Sequence, residues 1–216
     1  MKKLFLTLTT AFVLICTTLT QAKAQDDELK ARFGIKGGVN FSNLYTKDVD
    51  ENNVLTGFNL GVFAKLPIAS FLAIQPELYF TTKGGESTYN NAFVKGTARF
   101  NVNYLELPVL VVVNISKYFN VHAGPYAAFL LNGKATNKSN VTLFDFEDNL
   151  DTNDFNKLDF GLAAGIGVDL GGVGFGARYN YGLTKVGKER TFLGTNYTFP
   201  DGKNSVLSVY ASFSLN

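Results

Sequence analysis

The stretch that decides the fold is Phe160-Gly161-Leu162-Ala163-Ala164-Gly165-Ile166-Gly167-Val168-Asp169-Leu170-Gly171-Gly172-Val173-Gly174-Phe175-Gly176-Ala177-Arg178-Tyr179-Asn180-Tyr181-Gly182-Leu183. Before the Gly171-Gly172 pair, Phe160, Leu162, Ala164, Ile166, Val168 and Leu170 alternate with Gly161, Gly165, Gly167 and Asp169. After it, Val173, Phe175, Ala177, Tyr179, Tyr181 and Leu183 alternate with Gly174, Gly176, Arg178 and Asn180. Successive side chains of a strand point to opposite faces, so a period of two means one apolar face and one small or polar face. Two such runs separated by a glycine pair read as neighbouring strands joined by a tight turn.

Working outward, the same alternation recurs at Phe33–Phe41, Phe58–Leu66, Leu72–Phe80, Phe119–Phe129 and Leu207–Leu215, and in a run from about Thr97 to Val113. In that last run Phe100 and Val102 share one parity while Leu105, Leu107 and Val109 share the other, so a bulge is expected near Asn103. The total is eight strands. Short connections (Pro67–Ser70, Asn114–Lys117, Gly171-Gly172) alternate strictly with longer polar stretches (about Ser42–Leu55, Lys83–Gly96, Asn132–Asn156 and Val186–Lys203). A rim of tight turns opposite a rim of extended loops is the layout of outer-membrane barrels. No run of 18 or more apolar residues follows Gln25, so helical spanning segments are not expected. The fold predicted is therefore all-β: a closed, antiparallel, up-and-down transmembrane β-barrel of about eight strands. Phe41, Phe71, Phe80, Tyr118, Phe119 and Phe213 fall near strand ends, where aromatic girdles meet the membrane surfaces. A soluble β-sandwich is the alternative for the same aromatic placement.

The N-terminus reads as a leader. Met1-Lys2-Lys3 is basic, Leu4–Ile15 is apolar, and Ala22-Lys23-Ala24 is an A-x-A site, so residues 1–24 are expected to be a cleavable signal peptide and 25–216 the barrel domain. Bulky Ile15 before the sole cysteine, Cys16, argues against lipid attachment there. Without the leader, Lys+Arg falls from 20 to 17 against 18 Asp+Glu, a charge of about −1. That balance offers no basic patch for nucleic acid. The leader also takes the one cysteine with it, which excludes disulfides and thiolate zinc sites.

Several of these segments share a further likeness: Gly34-Ile35-Lys36-Gly37-Gly38-Val39-Asn40, Ile74-Gln75-Pro76-Glu77-Leu78, Asn103-Tyr104-Leu105-Glu106-Leu107-Pro108, Gly124-Pro125-Tyr126 and Arg178-Tyr179 with Gly182-Leu183. Together they resemble the PorT-like outer-membrane β-barrel family, also labelled the porin family, over about Arg32 to Leu215. The resemblance implies an outer-membrane location and the barrel architecture; it implies no substrate.

If the apolar parity faces lipid, the opposite parity fills the lumen. Lys36, Lys65, Glu77, Glu106, Asp159 and Arg178 are then candidates for a lumen polar network, with Glu77 and Glu106 paired to Lys36, Lys65 or Arg178. An eight-stranded barrel is only wide enough for its own side chains, and confined charges are costly unless paired, so a polar plug is expected in place of an open pore. Catalytic, metal and cofactor sites are not expected. His122 is the single histidine, and its possible serine partners, Ser208, Ser212 and Ser214, lie on another strand; Gly165-Ile166-Gly167 is followed by a strand and not by a phosphate-binding helix. The acidic loop residues Asp145, Glu147, Asp148, Asp151 and Asp154 lack the EF-hand order. The function expected is structural, adhesive or loop-mediated, exercised by a monomer in contact with outer-membrane lipid and with an envelope or extracellular partner. The alternatives are a narrow conduit for a small solute and a soluble periplasmic ligand-binding barrel of lipocalin type, which needs the apolar parity inside.

Overall fold

The computed structural model describes residues 29–45, 52–90, 95–139, 146–149, 155–187, 189–192, 195–198 and 202–215. The leader read in residues 1–24 lies outside them. The strands are β1 (Arg32–Tyr45), β2 (Asn52–Asn53), β3 (Leu55–Ala69), β4 (Leu72–Asn90), β5 (Lys95–Asn114), β6 (Phe119–Ser139), β7 (Phe146–Asn149), β8 (Leu158–Leu170), β9 (Val173–Lys185), β10 (Glu189–Phe192), β11 (Thr195–Thr198) and β12 (Lys203–Ser214). Eight long ones form the wall in the order β1, β3, β4, β5, β6, β8, β9, β12, every neighbour antiparallel. The seam closes where β1 pairs with β12, from Gly34↔Ser214 to Tyr45↔Lys203. Closure follows from the solvent: hydrocarbon offers no hydrogen-bond partners, so a free sheet edge is untenable there.

The alternation decides which face meets lipid. Ile35, Val39, Leu60, Leu162, Ile166 and Val209 are exposed, while Lys36, Asn40, Asn59, Asp159, Arg178 and Ser208 between them are buried. The apolar parity thus forms the outer surface. The soluble ligand-binding barrel is corrected on this point, because its apolar wall would have to line the interior. Phe71, Tyr118 and Phe213 are exposed on the turn side, and Phe41, Phe58 and Phe160 on the loop side, bracketing the belt with aromatic rings. Phe80 is half-buried and stacks beside Phe58, ring centroids 5.6 Å apart. The Gly171-Gly172 turn uses a positive φ of 71° at Gly171, which glycine adopts without steric cost.

Two expectations shift. The bulge near Asn103 lies on the neighbouring strand. Pairing of β4 with β5 runs unbroken through Thr82↔Asn103 and Thr81↔Tyr104, whereas β5 with β6 steps from Asn103↔Asn132 to Tyr104↔Leu130, leaving Leu131 extra on β6. One parity of β5 therefore faces inward throughout, and Val102, Tyr104, Glu106, Leu110 and Val112 are all buried. The apparent parity switch arose because Phe100 and Val102 are apolar yet inward, packed, like Leu110 and Val112, with Ala73, Tyr126, Leu130, Phe155 and Val186 in the interior.

The second shift concerns Lys83–Gly96 and Asn132–Asn156, expected as loops. Both are strand over much of their length, since β4, β5 and β6 reach 19, 20 and 21 residues. About 9–11 residues suffice to cross the hydrocarbon, so these three strands stand well clear of the belt on the loop side. There β2 pairs with β4 (Asn52↔Ser87) and β7 with β6 (Lys134↔Asn149), widening the projection. Beyond the belt no face has lipid to meet, so this part of the sheet carries no apolar alternation to reveal it.

Candidate functional site

The polar parities of eight strands converge on the lumen, and their side chains meet in three tiers. The middle tier is built on Glu77 of β4. Arg178 of β9 grips its carboxylate with two donors, Nη1 to Oε2 at 2.6 Å and Nη2 to Oε1 at 2.9 Å. In the ring, β4 and β9 have three strands between them in either direction, so this fork-shaped pair spans the barrel's diameter. Lys36 of β1 donates to Oε1 at 2.9 Å, Gln75 to Oε1 at 2.6 Å and Tyr79 to Oε2 at 2.7 Å. Five donors thus converge on one carboxylate. The Tyr79 hydroxyl also accepts from Arg178, and the Lys36 ammonium lies 3.7 Å from the centre of the Tyr210 ring. Arg178 Nε donates to His122 Nε2 at 3.3 Å. A guanidinium only donates, which makes that ring nitrogen the acceptor and places the imidazole proton on Nδ1, facing Asn120 Oδ1 at 3.3 Å.

The loop-side tier centres on Lys83 of β4. Its ammonium is 2.5 Å from Glu106 Oε2 and 3.4 Å from Asp159 Oδ2, and it sits over the rings of Tyr126 and Tyr104 at 4.5 and 5.3 Å. Asn180 of β9 donates to the other oxygen of Glu106, Oε1, at 2.7 Å, and Asn204 of β12 donates to the same Asp159 Oδ2 at 2.9 Å. The turn-side tier is Lys65 of β3, which donates to Asp169 of β8 at 2.9 Å and to Asn114 at 3.3 Å; Asn120 donates to the same Asp169 oxygen at 3.1 Å. Between the middle and loop-side tiers, Asn40 ties four strands together: it donates to Thr81 at 2.9 Å and accepts from Asn59 at 2.6 Å and Ser208 at 2.7 Å.

Glycines make this crowding possible. A Cβ built on Gly165 would lie 2.7 Å from His122 Nε2, and one on Gly34 would lie 2.6 Å from the Phe63 ring, so small residues on the inner face stand opposite large ones. Four cations (Lys36, Lys65, Lys83, Arg178) and four anions (Glu77, Glu106, Asp159, Asp169) enter the ion pairs of these tiers. Charges removed from water cost several kcal/mol each unless paired and hydrogen-bonded. Two small cavities lie among the described residues, of about 30 Å³ at the turn-side mouth and about 10 Å³ at mid-barrel.

Of the six candidate residues, Lys36, Glu77 and Arg178 meet in one cluster. Glu106 and Asp159 stand in another around Lys83, and Lys65 reaches Asp169 and touches neither glutamate. Lys83 falls in the stretch that the sequence reads as a loop. Counting the parity on from Glu77 through Tyr79 and Thr81 finds it. Tyr104, Tyr126, Asn180 and Asn204 complete the same tier. His122 finds Arg178, Asn120 and Tyr210 as its neighbours, while Ser208 donates to Asn40, so no serine–histidine pair forms between them. Among the described residues no group of three His, Cys, Asp or Glu side chains is placed to hold a metal ion. Asp145, Asp151 and Asp154 of the acidic stretch lie outside those residues, and Glu147 and Asp148 sit in β7.

Residues 23–187 match the family model described as the outer membrane protein beta-barrel domain. No curated protein matches the chain. Among solved structures, the attachment invasion locus protein Ail of Yersinia pestis is 15% identical with a TM-score of 0.49, the alignment covering 87% of this chain and all of that one. Neisserial surface protein A is 13% identical with a TM-score of 0.46 over 85% of this chain and 98% of that one. The outer membrane protein AlkL is 12% identical with a TM-score of 0.37 over 91% and 96% of the two chains. The family match spans most of the sequence and agrees with a closed eight-stranded wall and a lipid-facing apolar belt, and the chain belongs to the outer membrane protein beta-barrel domain family, whose place is the outer membrane.

Proposed function

We propose that this chain is a plugged outer-membrane barrel that works through its loop-side surface, in adhesion, envelope integrity or the binding of an envelope or extracellular partner. The observation that carries this reading is the Arg178–Glu77 clamp across the diameter of the lumen, which stands in the way of a narrow conduit. With passage blocked, the part of the molecule left to meet a partner is the projection of β4, β5 and β6 beyond the membrane belt. The barrel acts as a monomer seated in outer-membrane lipid, delivered there by the leader read in residues 1–24, and needs no cofactor, nucleic acid or catalytic group. The finer PorT-like likeness rests on strand motifs such as Ile74–Leu78 and Asn103–Pro108, which build the wall and the plug and name no substrate.

The test shortens the projection and leaves the barrel alone. Ser87 and Ala98 are directly paired, so residues 88–97 can be replaced by Asn-Gly, a natural two-residue hairpin link. The trimmed chain is expected to insert and to keep its heat-dependent gel shift, yet not to restore the attachment or envelope-barrier properties of cells lacking the protein. Full restoration by the trimmed chain sinks the reading.

A further inference from the structure

We propose that the turn-side mouth of the lumen is a binding site for a small oxyanion, the phosphate group of a solute. The ion-paired charges of the lumen balance in number, but they are not evenly spread. Among the described residues of the turn-side and middle tiers, Arg32, Lys36, Lys65 and Arg178 stand against Glu77 and Asp169, a surplus of two positive charges. The loop-side tier has Lys83 against Glu106 and Asp159, a surplus of one negative charge. The lumen is thus polarised, with its positive end at the turn-side mouth.

The cavity of about 30 Å³ lies at that end and is lined by Arg32, Lys36, Lys65, Asp169, Ser212 and Ser214 among others. Arg32, exposed at the rim, and the partly buried Lys65 are register partners on β1 and β3, like charges directly opposite one another where they line the mouth. Such pairs are destabilising across a sheet unless an anion is shared between them. Asp169 supplies one carboxylate, to Lys65, and deeper in the lumen Glu77 is divided between Lys36 and Arg178. A second anion at the mouth would find guanidinium, ammonium and hydroxyl donors together, the donor set that recognises phosphate. Inner-face glycines hold the space open: a Cβ on Gly174 would come 2.6 Å from Ser212 Oγ and 2.9 Å from Asp169 Oδ1. The cavity is small and lies at the mouth, on the scale of a single oxyanion group, and the Arg178–Glu77 clamp stands across the lumen beyond it. The mouth is therefore a dead-end receptor site, independent of what the loop side binds.

The experiment titrates inorganic phosphate into the full-length barrel, extracted from outer membranes into a phosphate-free nonionic detergent at low ionic strength, and reads binding by calorimetry and by NMR shifts. Saturable one-to-one binding is expected, weakened about tenfold by Arg32→Gln or by Lys65→Gln, each charge-assisted contact being worth roughly one decade. Arg32→Lys should retain most of it. Lys117→Gln, on the same rim but beside the Tyr118 ring, should leave it unchanged. A heat-dependent gel shift shows that each variant is folded. Asp26-Asp27-Glu28 precede Arg32 by a few residues, so a chain with these changed to Asn, Asn and Gln is titrated alongside; tighter phosphate binding by it marks competition for the same cations and supports the site. Should shifts appear only when phosphatidylglycerol is added, the phosphate is a lipid headgroup's and the solute assignment fails. No saturable binding from either source, or an equal loss in Lys117→Gln and Arg32→Gln, overturns the site itself.

Discussion

At the scale of single residues, Glu77 holds the lumen together. Its carboxylate takes donors from β1, β4 and β9, so its loss strands two buried cations at once. Removing one partner of a buried pair costs about 3–5 kcal/mol, whereas replacing the whole set with apolar residues of similar volume is often neutral. Glu77→Gln should therefore lower the stability of the barrel in lipid vesicles by about that amount, read from its urea-unfolding midpoint. The triple variant Lys36→Met, Glu77→Leu, Arg178→Met should lose less than the single one; an equal or greater loss would show that the cluster does more than compensate its own burial. These residues could be read from parity alone, because Lys36, Glu77 and Arg178 stand out as charges on otherwise alternating strands. Their pairing could not, since residues 41 and 101 positions apart in sequence meet only when the sheet curls shut.

At the scale of strands, the outward face does the work of membrane residence. Leu162 lies near the middle of β8 and is exposed, so a charge there must enter hydrocarbon. Leu162→Arg is expected to cost about 2–4 kcal/mol, and the same charge at Asn132, toward the projecting end of β6, about 0–1 kcal/mol. Unfolding midpoints in vesicles of the two variants check the depth dependence, and equal effects would misplace the belt. Alternation located the eight strands because each must present apolar atoms to lipid. It failed at two kinds of place, each with its own cause. The inward apolar residues Phe100 and Val102 mimicked a parity switch, and the projecting ends of β4, β5 and β6, with no lipid to meet, lacked the signal.

At the scale of the whole molecule, the proposed plug predicts electrical silence. The Arg178–Glu77 pair crosses the lumen, and the two cavities found among the described residues measure only about 30 and 10 Å³. In planar bilayers the purified barrel is expected to give no reproducible conductance steps, and steps of uniform size would revive the conduit. The sequence by itself determined the architecture: lipid on one face, a crowded polar interior on the other and alternating connection lengths leave a closed antiparallel barrel as the arrangement that satisfies every backbone group. Only the tertiary structure decided which charges pair, that Lys83 joins them, that Leu131 and not Asn103 takes up the register step, and that the positive surplus gathers at the turn-side mouth. Those outcomes depend on the curvature and stagger of the sheet, which bring opposite walls within reach of one another and leave no mark on the order of residues along any one strand.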